Sequence, residues 1–129
     1  MTRGERHKRL AKYLAQVARR PFAEGQHDCA LFAAGAVAAM TGRDLAEEWR
    51  GRYSTTRGGI RVLRKSGFED HIALAASLLA ETDAPKPGDL AVVDGPALGV
   101  VQGTHIYVAG PDGLALVPIG AGLRFFEVS

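Results

Sequence analysis

The stretch GQHDCALFAAGAVAAMTGRD, Gly25 to Asp44, sets the chain's one cysteine directly after an aspartate suited to cap a helix, at the head of an apolar run. Asp28 reads as the N-cap of a helix from Cys29 to about Met40, which Thr41-Gly42 stops. A helix apolar on nearly every side belongs at the centre of a fold. Its small residues, Ala33, Ala34, Gly35, Ala36, Ala38 and Ala39, let another backbone come close. Free cysteine is among the most buried residue types, so Cys29 reads first as a small packing residue. Its reading as a nucleophile rests on the helix start, which lowers a thiol's pKa and offers N–H groups to an oxyanion.

Upstream, Leu10, Tyr13, Leu14 and Val17 recur at helical spacing among Arg and Lys. This predicts an amphipathic helix over residues 5–19, ended by Arg20-Pro21-Phe22. Its narrow apolar stripe leaves Arg3, Arg6, Lys8, Arg9 and Lys12 outward, with His7 on the same basic face. Downstream, Asp44 caps a short helix through Trp49, whose register places it in the core. Ile60 to Lys65 and Asp70 to Leu79 are further short helices broken at Gly67. His71, near a helix start, reads as a surface residue.

After DAPKPGD the texture changes. LAVVD, ALGVVQ, THIYVA, LALVPI and FFEV are short β-branched or aromatic runs separated by Gly, Pro and Asp, the pattern of antiparallel hairpins. Pro87-Gly88-Asp89 forms the turn that starts this sheet, with proline fixing φ, glycine allowing φ above zero and aspartate bonding the N–H groups that follow. The expectation is one α+β domain over residues 1–129, with 1–80 mainly helical and packed on a small antiparallel sheet from 88–129.

Composition agrees with a self-sufficient fold, at 129 residues and 47% apolar. A single cysteine excludes an internal disulfide, and no Cys/His spacing suggests zinc, so no metal or cofactor is expected. The opening residues are too charged for a signal peptide. The longest uncharged run, Cys29 to Gly42, falls short of the roughly 20 residues a membrane span needs. Residues 1–65 hold fourteen of the sixteen Lys/Arg but only six of the fourteen Asp/Glu. No aromatic-interleaved basic motif accompanies that asymmetry, so docking onto neighbouring proteins is favoured over nucleic acid. In RGRYSTTRGG, Arg50, Arg52, Tyr53 and Arg57 surround a Gly-rich turn with the charge to cradle an anion but without phosphate-loop spacing. It reads as a bend in which Tyr53 packs on the central helix and one arginine reaches Asp44 or a neighbouring protein.

PFAEGQHDCALFAAGAVAAMTGRD, RGRYSTTRGGIRVLRK, KPGDLAVVD and GPDGLALVPI together resemble the NlpC-type papain-like cell-wall peptidases. They resemble more closely a family of short phage and prophage tail-tip proteins related to them. In the peptidases a cysteine follows an aspartate at the start of the central helix, and a histidine lies on the second strand after the PGD turn. Cys29 matches the first position, whereas the histidine position falls near Pro96 or Ala97, neither of which is a base. His105 lies one strand later. A two-residue turn at Gln102-Gly103 puts it on the face opposite Ala97, Gly99 and Val101, the face expected to meet the sulfur. His27 would have to reach back over the helix start, and reads instead as a loop residue touching backbone or solvent. No histidine nitrogen is therefore expected within about 5 Å of Cys29.

The resemblance implies a structural or adaptor component at the tip of a long, non-contractile phage tail, with catalysis lost. Its partners are other tail-tip or hub proteins, docked through Arg6, Arg9 and Lys12, and it is made in the host cytoplasm. The alternative is an active cysteine amidase or endopeptidase that opens peptidoglycan during DNA delivery, with Cys29 attacking and His105, or else His27, moving the proton. A third reading is a free-standing host protein binding a basic or acidic partner.

Overall fold

A computed structural model describes residues 2–128. Four helices lead into a six-stranded antiparallel sheet, so the chain is α+β as its texture implies. The helices are α1 (Arg3–Val17), α2 (Cys29–Thr41), α3 (Thr56–Lys65) and α4 (His71–Leu78). The strands are β1 (Ala80–Thr82), β2 (Leu90–Val93), β3 (Ala97–Gln102), β4 (His105–Gly110), β5 (Gly113–Pro118) and β6 (Arg124–Glu127), in the spatial order β1-β6-β2-β3-β4-β5.

Each helix begins at a side-chain cap: Thr2, Asp28, Thr55 and Asp70 accept from the N–H groups of Glu5, Leu31, Gly58 and Ala73. Thr55 starts α3 four residues before the expected Ile60. The helix expected after Asp44 does not form. Asp44 accepts from the Ala46 N–H at 3.0 Å, but Arg50 turns back to grip both carboxylate oxygens at 2.7 and 3.2 Å, and residues 45–51 run as successive turns. Trp49 is buried there, edge-on to Phe68.

The helices cover one face of the sheet. Leu10, Leu14, Phe32, Ala36, Val37 and Met40 pack on Leu90, Val92, Leu98, Val100 and Phe126. Ala91, Val93, Val101 and Ile106 form a second cluster on the other face. The expected orientation of β3 is thus reversed, since α2 meets the Leu98/Val100 face. The hairpin also turns one residue later than expected, at Gly103-Thr104, pairing Gln102 with His105. The reason is glycine's place in the turn. Only Gly103 has positive φ, at 64°, and a type II′ hairpin wants that residue first of the two.

At the PGD turn the buried Asp89 carboxylate accepts from the Lys86 N–H at 2.8 Å and the Val128 N–H at 3.0 Å. It therefore ties the preceding loop to the C-terminal segment rather than bonding the N–H groups that follow. Gly88, at φ 95°, faces Met40, and a Cβ there would stand 2.7 Å from its sulfur. Arg6 is likewise not free for assembly, because its guanidinium donates to the Val128 carbonyl at 3.0 Å. Arg3, Lys8, Arg9 and Lys12 are exposed.

Among the small residues of α2, Gly35 receives a side chain. Tyr13 lies over Gly35 and donates to the Phe32 carbonyl at 2.8 Å, and burial pushes its phenol up to about 12. A Cβ at residue 35 would overlap the Tyr13 hydroxyl. Gly35→Ala is expected to cost about 1–2 kcal/mol, overpacking outweighing the gain in helix propensity. Calorimetry should show a fall of about 3–8 °C in Tm. The Tyr13→Phe/Gly35→Ala double variant should lose less than the two singles combined, because the overlapping oxygen is gone.

Candidate functional site

Two helices starting alike build the site. Asp28 caps α2 and Asp70 caps α4, and the residue after each cap, Cys29 and His71, begins its helix. Packing brings the two starts together, so that Cys29 Sγ lies 3.6 Å from His71 Nε2. Both side chains are half-buried. The Pro96 backbone carbonyl, just before β3, is close enough to favour the protonated ring slightly. Sulfur and base therefore come from the starts of α2 and α4.

Two expectations are overturned. A histidine nitrogen does lie against the sulfur, and His71 is not a surface residue. The strand at whose head the resemblance puts its histidine, Pro96/Ala97, reaches Cys29 through the Leu98 backbone, but the imidazole arrives from α4. His105 is exposed at the hairpin end of the sheet, with Nδ1 3.0 Å from Thr104 Oγ1. Its partner Gln102 lies four residues beyond Leu98, about 13 Å along the strand. His27 is no loop residue in solvent. It is 2% exposed, its ring edge-on to Phe32, because paired backbone bonds between Ala23 and His27 turn it inward.

Burial decides the resting protonation. It pushes the Cys29 thiol above its ordinary value, and Asp28 and Glu24 push the same way. The N–H groups of Leu98 and Ala30 against the sulfur oppose them. The helix start does not prevail here, contrary to the sequence expectation. Burial likewise holds His71 below the ordinary imidazole range, against the pull of Asp70, Asp28 and the Pro96 carbonyl. The pair rests as neutral thiol and free imidazole, the protonation state of a general base ready to act.

The surrounding frame is over-determined. Asp28 is 4% exposed and accepts from the Leu31 N–H at 2.9 Å, the Gly25 N–H at 3.1 Å and the Tyr53 hydroxyl. Tyr53, its phenol pushed up by burial and by Asp28, packs beside Leu31, Ala34 and Ala46. This is the bend expected of RGRYSTTRGG, with Arg50 the arginine that reaches Asp44. Gly25 is required where it stands, since at φ 78° a Cβ would strike the Tyr53 carbonyl. Among the described residues no helix is long and apolar enough to cross a membrane, and no group of three or more His, Cys, Asp or Glu is placed to hold a metal ion.

Fold and site together define an α+β protein with a cysteine–histidine pair at two helix starts. The chain belongs to the family described as a domain of unknown function, DUF6950, whose model matches residues 2–128. Neither a curated protein nor a solved structure matches it.

Proposed function

We propose that the protein is a cysteine hydrolase that opens amide bonds through a thioester on Cys29. The observation that carries this reading is the 3.6 Å approach of Cys29 Sγ to His71 Nε2. A thiol against an imidazole base is the pair this chemistry needs. His71 Nε2 takes the Sγ proton as sulfur attacks the carbonyl carbon. The Leu31 N–H is taken by Asp28, which leaves the Cys29 and Ala30 N–H groups at the helix start to meet the developing oxyanion. Collapse breaks the C–N bond, and His71 gives its proton to the leaving amine. Water then adds to the thioester with His71 again as base, the C–S bond breaks, and the proton returns to sulfur.

The resemblance to NlpC-type peptidases points to peptidoglycan cross-links as the class of substrate, and that to the related tail-tip proteins points to a phage tail tip as the setting. An adaptor role in the tip is favoured by one further observation, the exposed Arg3, Lys8, Arg9 and Lys12 on α1, and is compatible with catalysis. The test is release of muropeptides from purified sacculi. Release by the native protein and none by Cys29→Ala is expected. Equal release by both, or none by either across sacculi of different stem-peptide chemistry, sinks the hydrolase reading.

A further inference from the structure

Along α3 runs an open groove of about 790 Å³ lined by Thr56, Arg57, Ile60, Arg61, Arg64 and Lys65, all on that one helix. The sequence TRGGIRVLRK explains its character. Gly58 and Gly59 face Tyr53, where a Cβ on Gly59 would stand 3.1 Å from the ring, so α3 lies close against the residue that braces Asp28. Its other side carries Arg57, Arg61, Arg64 and Lys65, at i, i+4, i+7 and i+8 along one stripe. All four are exposed. Among the described residues only Arg64 has a carboxylate partner, the exposed Glu69 at 3.3 Å.

Thr56 joins groove to site. It lines the groove and donates to Glu24 Oε1 at 2.7 Å, on the loop that leads into Cys29, and the Glu24 charge is felt by both Cys29 and His71. Glu24 thus ties the start of α3 to the loop that carries Cys29.

We infer that the α3 groove is a substrate subsite for an acidic peptide, holding its carboxylates on Arg57 and Arg61 while Cys29 addresses the chain. Spacing supports this. Arg57 and Arg61 are about 6 Å apart along the helix axis. Alternate residues of an extended peptide lie about 6.7 Å apart, so carboxylates at every second position meet successive arginines. Arginine suits them through its planar pair of donors. A peptide is favoured over a nucleic acid because the adjoining site is built for amide chemistry and no aromatic side chain lines the groove for base stacking.

The inference rests on the hydrolase reading, and binding measurements separate the two. Fluorescence anisotropy with a labelled (Ala-Glu)4 peptide is measured on Cys29→Ala protein, which holds the peptide without turnover. Arg57→Gln/Arg61→Gln is expected to weaken binding about 10- to 25-fold at low salt, from about 3- to 5-fold per exposed pair. Lys8→Gln/Lys12→Gln on α1, equal in net charge, is expected to change it by less than about 2-fold. The neutral (Ala-Gln)4 peptide should bind no better than the double arginine variant binds (Ala-Glu)4. Equal binding of the two peptides, indifference to the arginine changes, or tighter binding of a 12-nucleotide oligothymidylate would overturn the subsite. If charge-dependent peptide binding appears while sacculi stay intact, the subsite stands and the hydrolase reading falls. If Cys29-dependent release occurs and the arginine variants bind unchanged, the reverse holds.

Discussion

Replacing His71 by alanine is expected to slow muropeptide release by roughly 100- to 10,000-fold, the usual contribution of a positioned general base, with the fold retained. The imidazole is half-buried and meets the Cys29 sulfur, so truncation removes the proton acceptor without opening the main core, which lies under Phe32 and Phe126. The pH profile separates this role from simple packing. Burial holds His71 below its ordinary 6.5, so the proton that blocks the base goes on only as pH falls below that value. The rising limb of kcat/KM for the native protein should lie below 6.5 and level off through neutrality. In His71→Ala that limb should vanish along with most of the rate. His105→Ala and His27→Asn should leave the limb in place, since neither ring meets the sulfur. A rising limb above 6.5, or a His71→Ala variant as fast as the native protein, would remove His71 from the mechanism.

Why Cys29 was legible and His71 was not follows from what each signal contains. Asp28-Cys29 opens a long apolar helix, so cap, centrality and nucleophile all read from one continuous stretch. Asp70-His71 opens a helix of eight residues with only Ile72 and Ala75 buried. The contact between the two helix starts is a tertiary fact with no local pattern. The one available signal was the parallel itself: an aspartate cap followed at once by a residue able to do chemistry occurs twice in the chain, and both helix starts end up together.

The sheet was legible in outline because its β-branched runs are bounded by Gly, Pro and Asp. Its register was not, because Gln102-Gly103 and Gly103-Thr104 are equally short turns, and the positive φ at Gly103 selects the second. β1 has only Ala80, Glu81 and Thr82, and takes its strand form from pairing with β6. The turns after Asp44 show tertiary bonding overriding local propensity, since the Arg50 guanidinium reaches both Asp44 and the Leu31 carbonyl.

The largest expected effect on stability is at Asp28. Asp28→Ala removes the α2 cap, worth about 1 kcal/mol, and strands two further donors, the Gly25 N–H and the Tyr53 hydroxyl, at about 1–3 kcal/mol for each that stays buried. A loss of about 3–7 kcal/mol, the upper end only if both donors stay buried, is a large share of the roughly 5–15 kcal/mol that holds a domain folded. Thermal unfolding should begin about 10–20 °C lower. Asp28→Asn keeps an oxygen for the Leu31 N–H and offers Tyr53 an amide donor, leaving the Gly25 N–H unpaired, so it should lose only about 1–2 kcal/mol. Tyr53→Phe should cost about as little, because it removes a donor and leaves Asp28 with its two backbone partners. The expected order is therefore native, then Asp28→Asn and Tyr53→Phe together, then Asp28→Ala. Activity should fall in the same order, since a frayed first turn of α2 moves Sγ away from His71. An Asp28→Ala protein that melts within about 2 °C of the native one would mean that the cap and its bond to Tyr53 do not hold Cys29 in place.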